Sequence, residues 1–313
     1  MAHFGDFDLA VQLAELAIRG GADAFKLQAF DVDKMISAHA PEWRERLRPR
    51  NLDLAQMAKL RDLCVGKGVD FILTIHDESR LNWLVELDVA AVKIGSGERN
   101  NPEFVKKLAA LGKPIILSTG MYSEGDVSEA LQAVHVAGCS RLALLHCNTS
   151  YPTPDEDVNL LAMEHLKRLF SGPVGYSDHT PDSLAAVAAA ALGASVIEKH
   201  ITILRDVPNA QDWKVSAGPD DFPEFVSSIR RAWSLRGHGH KQSSPSESPG
   251  QLWALKSLVA ACDLPAGTIL GPEHLDTKRP ANGIPPNRMA EVIGKRTLVD
   301  LRTDEPIKWE NIS

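Results

Sequence analysis

Apolar and polar positions alternate between two periods along the chain, and the alternation repeats. Leu9 to Arg19 has helical spacing and ends at Gly20 and Gly21, residues suited to a C-cap, and Ala24 to Gln28 then reads as a strand. The same unit recurs as helix 54–66 with strand 70–74, helix 80–87 with strand 90–94, and helix 102–111 with strand 114–118. Three more follow: helix 127–137 with strand 141–146, helix 160–170 with strand 172–176, and helix 183–192 with strand 195–199. Helix then strand with short loops requires parallel crossovers. Seven strands are counted, one fewer than closes a (β/α)8 barrel, and the chain opens on a helix. The expected fold is therefore α/β, a (β/α)8 barrel lacking its first strand. A doubly wound open sheet is the weaker alternative, because no Gly-rich dinucleotide fingerprint follows a strand and polar residues stand at nearly every strand end.

After a helix over 222–235, residues 236–250 are rich in Gly, Ser, Pro and Lys without periodicity. The division predicted is a barrel over 1–235, a linker over 236–254 and a small, mostly β module over 255–313. In that module 257–261 and 296–300 read as short strands, 264–268 as a turn and 273–275 as one helical turn. It has too little core for high stability alone, so docking on a barrel or a partner subunit is expected.

Composition narrows the function. The 313 residues are 44% hydrophobic and 24% charged, enough for a large core. Thirty-four basic against 41 acidic side chains make the chain mildly acidic. Its one basic cluster, Arg44, Arg46, Arg48 and Arg50, reads as a solvated face, so nucleic acid is not an expected partner. Cys64, Cys139, Cys147 and Cys262 have neither zinc-site pairing nor disulfide-scaffold density. With no apolar run of membrane-spanning length and no signal-like start, a cytoplasmic protein is expected.

The chemistry gathers at the strand ends. His179, in GYSDHT, and His200, in VIEKHIT, close consecutive strands, so their imidazoles should emerge on one barrel face, where barrel enzymes keep their sites. A lone strand-end histidine more often bonds a neighbouring strand. Two in succession read better as ligands of a divalent ion, Mn2+ or Mg2+. His3, His76 and His146 are the rivals, with His146 read as a packed residue before Cys147.

Six segments in register, FKLQ at 25–28, VKIGSGE at 92–98, GKPIILSTGM at 112–121, LLHCNTSYPTP at 144–154, GYSDHT at 175–180 and EKHIT at 198–202, resemble the sialic acid synthase (N-acylneuraminate synthase) family. LVAACDLPAG at 258–267 and TKRPANGI at 277–284 resemble that family's C-terminal antifreeze-like (SAF) module. The resemblance implies a barrel that condenses phosphoenolpyruvate with an N-acylated hexose, such as N-acetylmannosamine or a diacetamido-dideoxy relative, giving a nine-carbon keto acid sugar and phosphate. It implies that Lys26, Gln28, Thr74, Lys93, Ser96, Ser118, Thr149 and Ser177 bind phosphoenolpyruvate. The physical reading agrees, since two lysines beside several hydroxyls in one barrel mouth repel unless an anion lies between them. Glu98, Tyr151 and Asp212 match positions that contact the sugar, with Asn148 and Thr149 in a loop beside them, and Glu98 joins His179 and His200 as a catalytic candidate. Arg279 corresponds to an arginine that reaches a neighbouring subunit's substrate, which implies a homodimer with a composite site.

Two departures stand out. The family carries a glutamate on a first strand ahead of the motif matched by Ala2 to Asp6, and its usual Ser-Thr-Pro-Phe strand end is LTIH at 73–76 here. The alternatives are a Schiff-base aldolase using Lys93 or Lys199 and a degenerate sugar-binding homologue without catalysis.

Overall fold

The computed structural model describes residues 2–208 and 210–313. The chain divides into two compact bodies, residues 1–237 and 238–313. In the first, eight parallel strands are hydrogen-bonded in sequence order: β1 (Ala24–Ala29), β2 (Asp70–Ile75), β3 (Ala91–Ile94), β4 (Ile115–Ser118), β5 (Leu142–Cys147), β6 (Val174–Asp178), β7 (Ile197–Ile201) and β8 (Ser216–Ala217). Helix α1 (Phe7–Arg19) precedes β1, the helices that cross between the strands include α2 (Leu54–Val65), α3 (Leu81–Glu86), α4 (Pro102–Ala109), α5 (Glu124–Val136), α6 (Ala162–Leu169) and α7 (Leu184–Ala191), and α8 (Phe222–Leu235) follows β8.

The sequence count of seven strands is one short. The additional strand is β8, two residues long, which pairs with β7 through His200↔Ser216 and Ile201↔Ala217. Two residues carry no alternation to detect. Among the described residues β1 pairs only with β2 and β8 only with β7, so the curled sheet has two free edges.

Strand alternation sorts the side chains. Phe25 and Leu27, Phe71 and Leu73, Val92 and Ile94, and Ile115 and Leu117 belong to one buried core with helical residues such as Leu13, Met57, Leu60, Leu84 and Leu108. The intervening positions, Lys26 and Gln28, Ile72 and Thr74, Lys93, Ile116 and Ser118, fall on the opposite face, inside the curl. The C-terminal strand ends are held level by the register Ser118↔Leu145, Cys147↔Ser177 and Asp178↔Lys199. Helix starts are defined by side-chain caps: Asp53 and Gln56 form a capping box on α2, and Ser123 and Asp126 form one on α5.

In the second body, β9 (Ser257–Ala260) and β10 (Leu275–Lys278) pair antiparallel over a small core that includes Leu258, Leu264, Leu270, Ile284, Val292, Leu301 and Ile307. Residues 296–300, read as a strand, make isolated bridges at Ile269↔Arg296 and Thr297↔Ile312, and the second strand lies at 275–278 instead. The stretch 236–254, read as a linker, contains a helix, α9 (Ser248–Ala254), preceded by a turn in which Ser244 and Glu247 cap each other. No described helix is long and apolar enough to cross a membrane.

Candidate active site

The site begins with a carboxylate that sequence reasoning left out. On β7, Glu198 and His200 are two residues apart and share the inner face. Lys26 on β1 places Nζ 3.0 Å from Glu198 Oε2, and Lys93 on β3 places Nζ 3.8 Å from Oε1. The Ser177 hydroxyl, on β6, donates to Oε1 at 2.8 Å. Burial alone would raise the Glu198 pKa, but the two ammonium groups and the hydroxyl outweigh it and hold the acid ionised well below the usual carboxylate range. The two lysines therefore meet a resident anion. The available signal was the EKH run itself, because period-two alternation puts Glu198 on the face that carries His200.

Lys93 is 3% exposed and donates to Ser118 Oγ at 2.7 Å and to its neighbour's carbonyl, Ile94 O, at 3.0 Å. Burial pushes its pKa down to about 8, with Glu198 pulling upward and Lys26 downward. The ammonium is thus poised to titrate near neutral pH, and its charge depends on what anion lies beside it.

A second cluster adjoins the first. Ser96, where a 3-10 turn follows β3, accepts the Gly120 N–H at 2.9 Å and lies 3.2 Å from Cys147 Sγ. A Cβ on Gly120 would come within 2.6 Å of Thr149 Oγ1, 2.8 Å of Ser96 Oγ and 2.9 Å of Cys147 Sγ, so glycine is what lets these three side chains converge. Gln28 Oε1 is 3.2 Å from His76 Nε2. Thr74, in register with Gln28, is buried and its Oγ1 has no partner, as is true of Asn148 Oδ1. Unpartnered buried acceptors and donors at a strand-end cluster fit a polar ligand.

The imidazoles form a third group. His179 and His200 have ring centroids 5.3 Å apart, and the Tyr151 ring lies 4.2 Å from the first and 5.7 Å from the second. His179 Nδ1 is 2.5 Å from the Asn148 carbonyl oxygen, which makes Nδ1 the protonated nitrogen and leaves Nε2 with its lone pair. Burial lowers both pKa values, that of His200 to about 3 against the opposing pull of Asp212. Both rings are neutral at physiological pH, the form that ligates metals. Among the described residues no third histidine, cysteine or carboxylate completes a metal-binding group with them.

Glu98 is half-buried, accepts from Asn101 Nδ2 at 3.0 Å, and has its pKa raised by burial. Asp212 lies in a 3-10 turn (Asp212–Val215) just before β8, which brings it beside His200. The rival histidines take other roles. His146 Nε2 bonds the Val158 carbonyl at 2.8 Å, and His3 is buried with its Nε2 unpartnered. Lys199 points to the outer face, where Asp178 Oδ2, Thr180 O and Asp182 O engage its Nζ at 2.7, 2.7 and 3.0 Å. Of the basic cluster, Arg44 and Arg48 pair with Asp33. Arg279 is exposed and belongs to the second body, immediately after β10.

An open α/β barrel whose strand ends carry two lysines, a paired carboxylate, hydroxyls and two neutral imidazoles defines an anion-binding enzyme site. Comparison with known proteins agrees and is more specific. Residues 13–241 match the model of the NeuB family, and residues 256–313 match that of the SAF domain. The chain is 39% identical to an N,N'-diacetyllegionaminic acid synthase of Campylobacter jejuni over 98% of its own length and 96% of that protein. It is 32% identical to the human N-acetylneuraminate-9-phosphate synthase over 98% of its own length and 89% of that protein. The crystal structure of an N-acetylneuraminic acid (sialic acid) synthetase from Leptospira borgpetersenii, in complex with citrate, superposes with a TM-score of 0.75 at 30% identity, covering 80% of this chain and 86% of that one. The chain belongs to the NeuB family.

Proposed function

We propose that the protein condenses phosphoenolpyruvate with an N-acylated hexose, N-acetylmannosamine or a diacetamido-dideoxy relative, to a nine-carbon nonulosonic acid, releasing phosphate. The observation that carries this reading is the convergence of Lys26, Lys93 and Ser177 on the Glu198 carboxylate, with Ser118 accepting from the Lys93 ammonium beside it. A group of cations and hydroxyls that holds a carboxylate at rest is built to hold the phosphate and carboxylate of an enol phosphate. Family membership and the synthases among its relatives support the same reaction class.

In this reaction the enol carbon of phosphoenolpyruvate attacks the sugar aldehyde. The resulting oxocarbenium-like carbon takes water, and the C–O bond to phosphate breaks to leave the keto acid. The lysines fix the enol phosphate, with Gln28, Thr74, Ser96 and Thr149 completing its polar surroundings. Glu98, Tyr151 and Asp212 receive the acceptor, and the raised pKa of Glu98 suits proton exchange with it. The two neutral imidazoles fit two positions of a Mn2+ or Mg2+ ion, which would supply Lewis-acid polarisation of the aldehyde, with water or substrate oxygens as the further ligands. Arg279 reaching the site of a partner subunit would make the active form a homodimer.

The test is phosphate release from phosphoenolpyruvate across a panel of N-acyl hexoses, before and after exhaustive EDTA treatment. Release only with an acceptor present, lost on chelation and restored by Mn2+ or Mg2+, is the expected result. Release without any acceptor refutes the condensation. The lowered pKa of Lys93 favours one rival, a Schiff-base aldolase. A mass gain on Lys93 after borohydride with substrate, in chelated enzyme that stays active, would establish that rival. Lys199, held by three oxygens, is not free to serve as its nucleophile.

A further inference from the structure

Just past the end of β2, the inner-face alternation continues from Thr74 to His76, which brings the His76 ring beside Gln28 of the neighbouring strand. His76 Nε2 lies 3.2 Å from Gln28 Oε1, and among the described residues this is the one hydrogen bond the Gln28 side chain makes. An amide oxygen can only accept, so the ring must carry its proton on Nε2. The ring is neutral as it does so: burial, and after it the charge of Lys26, lowers its pKa to about 4 against the pull of Asp77. Its setting is also fixed by its own backbone and neighbours. The His76 N–H donates to the Ala29 carbonyl at 3.2 Å, and the Phe30 ring packs against the imidazole with centroids 6.3 Å apart. Asp77 Oδ2 accepts the Asp31 N–H at 2.6 Å, tying the residues that follow β1 to those that follow β2. A planar amide whose oxygen faces the ring presents its NH2 group on the other side. Thr74, the register partner of Gln28 on the same inner face, is buried with its hydroxyl unpartnered.

We propose that His76 is a positioning residue of the substrate site: by donating Nε2–H to Gln28 Oε1 it fixes which way the Gln28 amide points, so that N–H donors, together with the Thr74 hydroxyl, are offered to an oxygen of the bound anion. A glutamine free to turn about its last bond presents oxygen as readily as nitrogen, and an amide oxygen turned towards a phosphate or carboxylate repels it. The imidazole removes that orientation before the ligand arrives, so binding does not have to select against it. His76 acts through Gln28 and not on the reacting atoms. The strand end LTIH thereby gains a function from its departure from Ser-Thr-Pro-Phe, since a phenylalanine at 76 keeps an aromatic ring against Phe30 but has no N–H to donate. The consequence for affinity rests on the reading of this site as one for phosphoenolpyruvate; the pairing of ring and amide does not.

The pairing is read in the ligand-free full chain by nitrogen NMR of labelled histidine. At neutral pH the His76 ring should be the Nε2–H tautomer, and Gln28→Ala should shift its Nε2 resonance. An Nδ1–H tautomer, or a resonance indifferent to Gln28→Ala, overturns the proposal. The consequence is read by calorimetric titration with phosphoenolpyruvate alone. His76→Phe and Gln28→Ala should each weaken binding about tenfold, and the double variant should bind no more weakly than Gln28→Ala, to within about twofold. His76→Gln, whose Nε2 donor can stand where the imidazole's does, should return affinity to within about threefold of the parent. A merely structural histidine gives additive losses in the double variant and no rescue by glutamine, and either result overturns the proposal, as does parent-like affinity in His76→Phe. Should His76→Phe fail to fold, His76→Asn, too short to reach Gln28 Oε1, takes its place in the cycle. A parent chain that binds no phosphoenolpyruvate refutes the reading of the site instead, and the tautomer then decides whether His76 orients Gln28.

Discussion

Replacing Glu198 by glutamine tests the electrostatic logic of the site most directly. The substitution preserves size and one hydrogen-bond acceptor for Ser177 but removes the charge between two ammonium groups. At an effective dielectric of about 20, a unit charge at the 3.0 Å of Lys26 is worth ~5 kcal/mol and one at the 3.8 Å of Lys93 ~4 kcal/mol, before the cost of desolvating all three groups. Removing one partner from a buried ion pair costs about 3–5 kcal/mol, mainly because the remaining charge is stranded. Lys26 is 24% exposed and keeps some hydration, which places the expected loss near the lower bound, ~3 kcal/mol. Urea unfolding at pH 7 in an anion-free buffer should show that loss for E198Q. Saturating inorganic phosphate, bringing negative charge back beside the two lysines, should return ~2 kcal/mol or more to the variant through linkage and much less to the parent protein. A variant as stable as the parent, with no added response to phosphate, would falsify the view that Glu198 is the counter-charge of the two lysines.

Three further outcomes follow from the same geometry. Because burial sets the Lys93 pKa at about 8, the ammonium is lost as pH rises through that value, so KM for phosphoenolpyruvate should climb above about pH 8, with the midpoint moved to lower pH in E198Q; a flat KM between pH 7 and 9.5 contradicts the assignment. Gly120→Ala forces a methyl among Thr149, Ser96 and Cys147 and should cost about 1–3 kcal/mol of stability and at least tenfold in kcat/KM; wild-type kinetics would show that this cluster is not part of the site. His200 has a folded pKa of about 3 against an ordinary value of 6.5, so the stability it confers is complete above about pH 6.5 and is lost as pH falls towards 3. His200→Asn should flatten the pH 6.5 to 4 limb of the stability curve and abolish measurable Mn2+ binding by calorimetry, whereas an unchanged acid limb would mean the ring is not held neutral by burial.

The parts of the fold legible in the sequence are those set by periodicity. Strands β1 to β7 were each located by alternation or a short apolar run, because inner and outer faces carry different residue classes, as in Phe25, Lys26, Leu27 and Gln28. What escaped has no period. Strand β8 is two residues held in place by β7, and β10 was displaced from 296–300 because the small body makes its ladder from single bridges around a shared core. The strand-end residues Lys26, Lys93, Ser118 and Ser177 were chosen from their positions and do come together. Glu198 has only its period-two relation to His200 to mark it in the EKH run, and a carboxylate that neutralises a cation pair becomes visible only when three strands are brought side by side. The expectation that the lysines need an anion was sound physics, and the chain supplies one of its own.

That built-in anion gives the resting site a threshold. A monoanion such as chloride or acetate, arriving at Lys26 and Lys93, must displace or crowd a carboxylate already held by both cations and by Ser177. It offers no more charge than the group it would replace. A ligand carrying both a phosphate and a carboxylate offers several negative oxygens at once and can engage the lysines while Glu198 turns aside or takes up a proton. The arrangement therefore trades absolute affinity for discrimination by charge number, keeping the barrel mouth clear of the abundant small anions of its surroundings.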